Sequence, residues 1–220
     1  MRGFGVTACV ALVAATALAF PAAATACNES RRARPPKPTA DAPLALGDSV
    51  MLGAVDQLAA AGFEVDAKGC RQMAAGVEVL AARRRLPSTV VLALGTNWIV
   101  TTAQIRQALR ILGPGRVLGL VVPRELASAR TQNRRNIRSA GRRWPDRVRV
   151  LDWVRYSSGH DSWFAGDGLH LTARGARAFT RLLARALAWT APAAATSAFT
   201  AVGQGVTAES LSAPALPARR

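Results

Sequence analysis

A chain of 220 residues, half of them hydrophobic, can bury one full core and leaves length over for terminal extensions. Its formal charge of +16 rests almost wholly on Arg, since only Lys37 and Lys68 are lysines. The charge reads as a generic basic surface, with anionic wall polymers or lipid headgroups as the alternative partner and no nucleic acid. Two His and three Cys, without Cys-x-x-Cys or His-rich spacing, argue against a metal site, and no cofactor is called for.

Residues 1–26 read as a secretory signal. Arg2 gives a positive start, Val6 to Phe20 is apolar, and Ala24-Thr25-Ala26 is a small-x-small cleavage pattern. The apolar run is short for a membrane span, which takes about 20 residues. The protein is therefore expected to be exported, to the periplasm, the cell wall or the medium. Cys27 follows the cleavage point and raises a lipoprotein, against which stands Ala24, where a lipobox prefers Leu. Residues 27–43 carry Arg31, Arg32, Arg34, Pro35, Pro36, Lys37 and Pro38, and read as an extended, solvated linker.

Residues 44–190 alternate strand-like and helix-like patterns. Leu44 to Leu46 is the first strand, and Met51, Leu52, Val55, Leu58 and Ala59 form the stripe of a helix ending at Gly62. Phe63 to Ala67 is a second strand, followed by a helix near Arg71 to Arg84. Thr89 to Leu94 is an unbroken, β-branched buried strand. Thr102 to Leu112 is helical, Val117 to Val122 a strand, Ser128 to Trp144 a helix, Val148 to Trp153 a fifth strand, and Ala173 to Trp189 the last helix. Residues 191–220 read as a disordered Ala/Thr/Ser/Pro tail. This alternation predicts an α/β fold, a flavodoxin-like three-layer α/β/α sandwich with a five-stranded parallel sheet.

In such sheets ligands gather at the carboxyl ends of the strands. Gly47-Asp48-Ser49 ends the first strand and opens a helix, whose free N–H groups and partial positive charge face the same spot. Ser49 there is a candidate nucleophile and needs a base. His170 lies in Asp167-Gly168-Leu169-His170, where the carboxylate can fold back across the Gly to orient the ring. His160, in the polar loop Ser158 to Ser162, reads as a solvated residue or a substrate contact. Asn97, after the strongest strand, can donate to an oxyanion above Ser49. The Ser49 N–H and an N–H of Lys68 to Gln72 are further candidate donors.

These blocks resemble those of the SGNH (GDSL-type) hydrolases. Leu46 to Ala54 matches the first family block, Gly95-Thr96-Asn97 the third and Asp167 to His170 the last. Asp66-Ala67, Arg71-Gln72 and Trp163-Phe164 are further similar to the secreted catalytic domain of cell-wall polysaccharide O-acetyltransferases. The resemblance implies Ser49 as nucleophile, His170 as base, Asp167 as its orienting acid and Asn97 as oxyanion donor. For the second block it leaves Cys70, through its backbone, with Gly69 as the alternative.

Trp98 departs from the small residue that often follows the Asn. It either narrows the acyl pocket or packs partly buried. Trp163 and Phe164 either wall the pocket, stack on a sugar or fill the core. Cys27 and Cys70 either pair or stay apart. The implied function is an exported serine esterase or acyltransferase acting on small acyl esters, acetyl foremost, of wall polysaccharide. Transfer would call on a separate membrane acyl-donor protein. The competing readings are a lipolytic esterase or lysophospholipase, and a non-catalytic basic protein that binds wall polymer.

Overall fold

The structure is a computed structural model that describes residues 27–124 and 130–189. The signal sequence and the C-terminal tail read from the sequence lie outside the described residues. Strand β1 is Ser30–Ala33 and β2 is Leu44–Gly47. Two short helices follow, α1 (Ser49–Leu52) and α2 (Val55–Ala60). Next come β3 (Glu64–Lys68), α3 (Met73–Ala81), β4 (Thr89–Ala93), α4 (Thr102–Leu112) and β5 (Val117–Val122). The chain closes with α5 (Arg130–Arg143), β6 (Val148–Asp152), α6 (Trp153–Tyr156) and α7 (Ala173–Leu183).

The sheet order is β1-β3-β2-β4-β5-β6. Strands β2 to β6 run parallel to one another, in the flavodoxin-like arrangement expected from the sequence. The order reverses between β2 and β4, the position at which ligands bind in open α/β sheets. Both faces of the sheet are covered. Ala45, Val91 and Val121 pack with Leu58, Phe63, Phe179 and Leu183, while Leu44, Leu46, Val90 and Leu92 pack with Leu80, Ile105, Leu109 and Ile137. Burial on both faces is why these strands are continuous apolar runs rather than alternating ones.

Two expectations need correction. The Pro/Arg-rich segment is not solvated linker throughout. Its residues Ser30–Ala33 add an antiparallel sixth strand against β3, with Ser30 opposite Lys68 and Ala33 opposite Val65. Arg side chains suit this edge because carboxylates wait there: Arg31 pairs with Asp56 at 2.9 Å and Arg32 with Asp66 at 3.0 Å. The helix after Ser49 is also not continuous. Gly53 closes α1 by donating its N–H to the Met51 carbonyl, and Ala54 leaves helical geometry at φ −125°, ψ 9°. Residues 49–52 thus form a single turn, and its dipole is correspondingly small.

Candidate active site

The carboxyl end of β2 delivers Ser49. Gly47 is needed there, since a β-carbon at that position would collide with the Met51 side chain. Asp48 caps α1, its Oδ1 accepting from the Val50 N–H at 3.1 Å, and its own N–H donates to the Ala93 carbonyl of β4 at 3.3 Å. The Asp48 side chain is buried, and its Oδ2 has no hydrogen-bond partner. Burial pushes its carboxyl up to about 6, against the pull of the Val50 N–H, Thr96 and His170.

Residue 170 arrives from the loop before α7. Ala165 donates to the His170 carbonyl at 2.7 Å, Thr172 donates to the Trp163 carbonyl at 3.0 Å, and Phe164 bridges Leu171. The loop is therefore a small hairpin, closed against α7 by Gly175, where any β-carbon would run into the Trp163 backbone. Within it, His170 Nδ1 lies 2.5 Å from Asp167 Oδ2, and Nε2 lies 3.1 Å from Ser49 Oγ. Asp167 Oδ1 accepts from the N–H groups of Leu169 and His170 at 2.9 and 3.0 Å. Its partial desolvation alone would raise the carboxyl, but the imidazole and the two N–H groups outweigh that and hold it down at about 2. Ser49, His170 and Asp167, 121 residues apart at the extremes, thus form one hydrogen-bonded chain. Ser49 and His170 open into a pocket of about 310 Å³ lined also by Glu29, Leu52, Gly53 and Leu171.

Two further loops follow β3 and β4, the strands on either side of β2. After β3, the Arg71 guanidinium is buried. It donates to the carbonyls of Gly47 at 3.0 Å and Asp66 at 2.7 Å, and to Asp66 Oδ1 at 2.6 Å. Gly69 and Cys70 sit at the tip of this loop, Cys70 at φ +55° and disulfide-bonded to Cys27. That bond occupies the sulfur on which lipidation would depend, so the lipoprotein reading falls. After β4, the Asn97 Nδ2 lies 3.5 Å from the Arg71 carbonyl, which brings the two loops together. Asn133, fully buried on α5, holds the second loop. It accepts from the Val100 N–H at 2.6 Å and donates to the carbonyls of Gly95 and Trp98 at 2.9 and 3.2 Å.

No family model matches the sequence. The peptidoglycan O-acetyltransferase OatA of Listeria monocytogenes is 31% identical over 161 residues, covering 71% of this chain and 25% of the relative. The chain spans about a quarter of the length of the curated relatives it matches. Among solved structures, the C-terminal catalytic domain of Streptococcus pneumoniae peptidoglycan O-acetyltransferase A, with a methylsulfonyl adduct, aligns at a TM-score of 0.58 and 24% identity. It covers 67% of this chain and 93% of that domain. A GDSL-like lipase from Bacteroides thetaiotaomicron aligns at 0.52 and 13% identity, over 66% of this chain and 86% of the lipase. The chain has the fold of the SGNH hydrolases.

Within that fold, the pocket wall departs from the one expected from the sequence. Trp98 is 65% exposed, so it neither packs inside nor lines the pocket that holds Ser49 and His170. Phe164 is buried beneath the Arg124 guanidinium, 4.0 Å from its ring, and meets Trp153 edge-on. Trp163 is stacked between Trp153 and His160, at centroid distances of 5.8 and 3.9 Å. These two aromatics support the His170 hairpin, and His160 lies on their outer side, away from Ser49's hydrogen bonds.

Sequence reasoning missed the Asp66–Arg71 pair as a fastening, Asn133 as a loop anchor, and Glu29 as a pocket residue. For Asn133 a signal existed, a lone amide on the apolar stripe of its helix with Ile137 and Ala140. Among the described residues no group of three or more His, Cys, Asp or Glu could hold a metal ion, and no helix is long and apolar enough to cross a membrane.

Proposed function

We propose that this protein is an exported serine O-acyltransferase or esterase that carries small acyl groups, acetyl foremost, to or from cell-wall polysaccharide through an acyl-enzyme on Ser49. The observation that carries the reading is the continuous chain from Ser49 Oγ to His170 Nε2 at 3.1 Å and from His170 Nδ1 to Asp167 Oδ2 at 2.5 Å. With the ring proton on Nδ1 and donated to Asp167, the Nε2 lone pair faces the serine hydroxyl.

The chemistry runs in two halves. Ser49 Oγ attacks the ester carbonyl while its proton passes to Nε2. The tetrahedral oxyanion is held by the Asn97 amide and by the N–H groups of Ser49 and Cys70. Collapse breaks the bond to the leaving oxygen, which takes the proton from Nε2, and the acyl group stays on Oγ. Water or a sugar hydroxyl then gives its proton to Nε2, attacks the acyl carbon, and releases Ser49 with its proton restored. Asp167, ionised from about pH 2 upward, supplies the counter-charge for the imidazolium throughout.

The similarity to peptidoglycan O-acetyltransferases supports a wall sugar as the second substrate. A disulfide supports an oxidising compartment, in keeping with a signal sequence at 1–26. Transfer rather than hydrolysis would draw on acyl groups delivered by a separate membrane protein. The test is turnover by the purified protein from Cys27 onward on p-nitrophenyl acetate and its longer-chain homologues, beside Ser49→Ala. We expect turnover that falls with chain length and drops by about 10⁴-fold or more in the variant. A rise with chain length would favour a lipolytic enzyme, and no Ser49-dependent turnover would leave wall-polymer binding. Acetylated and unacetylated wall glycan then separate hydrolysis from transfer.

A further inference from the structure

The segment from Cys27 to β1 lies outside the parallel sheet, yet it touches both halves of the site. Towards the serine, Arg31 donates to the Leu52 carbonyl at the end of α1, at 3.4 Å, and to both Asp56 oxygens at 2.9 and 3.0 Å. Towards the loop after β3, the Glu29 carbonyl accepts from the Gly69 N–H at 2.9 Å, and Cys27 is bonded to Cys70. Arg32 Nε donates at 3.0 Å to Asp66 Oδ2, while the other carboxylate oxygen, Oδ1, accepts from Arg71. Arg71 in turn grips Gly47, two residues before Ser49. Glu29 itself lines the pocket with Ser49 and His170.

A second observation concerns Cys70 alone. It is the one non-glycine among the described residues with positive φ, at +55°. A left-handed L-residue costs on the order of 1 kcal/mol and persists only where its surroundings impose it. Here the surroundings are the neighbouring Gly69–Glu29 hydrogen bond and the disulfide, both supplied by the same N-terminal segment. The conformation sets the direction of the Cys70 N–H, between a Gly69 N–H donated to the Glu29 carbonyl and an Arg71 N–H donated to the Lys68 carbonyl, while the Asn97 amide lies 3.5 Å from the Arg71 carbonyl of the same loop.

We propose that residues 27–33 are a positioning strap of the active site, fixing the Cys70 N–H relative to Ser49 so that the oxyanion meets a donor already in place. The inference rests on the acyl-transfer reading above. The strap touches no reacting atom; it acts through the loop. Its loss costs transition-state stabilisation rather than ground-state binding, bounded by the 10²- to 10³-fold that one oxyanion donor supplies.

The test compares wild type with Cys27→Ser and Arg32→Ala, all starting at Cys27, each assayed well below its own unfolding temperature. For Cys27→Ser we expect kcat on p-nitrophenyl acetate to fall at least tenfold with KM within about twofold. A trifluoromethyl ketone, whose tetrahedral adduct places an oxyanion in the hole, should lose affinity in proportion, while Arg32→Ala gives a smaller change of the same kind. Dithiothreitol, oxidised to its cyclic disulfide as it leaves two protein thiols, should bring wild type to the Cys27→Ser level, and reoxidation should restore it. Hydrogen exchange should show protection lost at residues 69–72 and retained in β2 and β4.

Equal kcat in an active wild type and Cys27→Ser overturns the inference alone. So does a fall matched by the fraction unfolded, or protection lost across the whole sheet. Absence of any Ser49-dependent turnover in wild type overturns the acyl-transfer reading and the catalytic half of the inference with it. The exchange pattern then decides whether the strap holds the loop.

Discussion

The loop after β4 is pinned from inside the molecule by amide side chains, whereas the loop after β3 is pinned from its outer edge by guanidinium groups and a disulfide. Both flank Ser49 and both carry a candidate oxyanion donor. Asn133 is uncharged and buried, so its three hydrogen bonds answer to neither salt nor reductant. Asp66 sits between a buried Arg71 and an Arg32 whose side chain is 78% exposed, so the opposite fastening has one shielded half and one half open to solvent. One side of the site is thus constant, while the other depends on the medium.

The sharpest way to break that contrast is Arg71→Ala. It leaves the Asp66 carboxylate buried with a single exposed partner and frees the Gly47 carbonyl. We expect a loss of about 3 to 5 kcal/mol in denaturant unfolding, the range for stranding one member of a buried ion pair. Next comes Asp48→Asn, between the two loops. The folded pKa of Asp48, about 6, lies above its ordinary 3.8, so the neutral form is favoured in the fold. The stability it contributes is complete below about pH 4 and is lost as pH rises through about 6. The variant, neutral throughout, should lack this decline and gain up to about 3 kcal/mol at pH 7. Parallel stability curves from pH 4 to 7 would refute the account.

Asn133→Ala should cost about 1 to 3 kcal/mol, since it leaves the Val100 N–H and the Gly95 carbonyl without their buried partner. The loss should be the same in 0.1 M and 1 M salt. Arg32→Ala should cost no more than about 1 kcal/mol, and the difference from wild type should vanish in 1 M salt, where the screening length is about 3 Å. Thermal unfolding at both ionic strengths checks the pair. A salt-sensitive Asn133 variant beside a salt-insensitive Arg32 variant would invert the comparison.

The parallel sheet was legible because its strands are buried on both faces and leave unbroken apolar runs such as Val90 to Leu94, separated by helices with clean stripes. Strand β1 was not, because its pairing is carried by backbone hydrogen bonds and by Arg side chains whose acidic partners lie 25 and 34 residues away. Composition records the charges but not their partners. The break after Leu52 was hidden by a stripe that stays in phase across Gly53.

At the site, Ser49, Asn97, Asp167 and His170 stood out because each sits at a strand end or in a loop entering a helix. The aromatics were ambiguous for a physical reason. A Trp beside an active site and a Trp beneath one have the same composition, and only packing separates exposed Trp98 from stacked Trp163.

The His170 hairpin has one further consequence. Carboxylate and imidazole both belong to one short turn whose two ends are stitched at Trp163 and Thr172. Any shift of that turn against the sheet carries the two groups together and leaves their mutual alignment untouched. The only separation free to vary is the gap to the hydroxyl on the opposite strand end. Readiness to react therefore reduces to a single coordinate, set by how α7 seats on the layer beneath it.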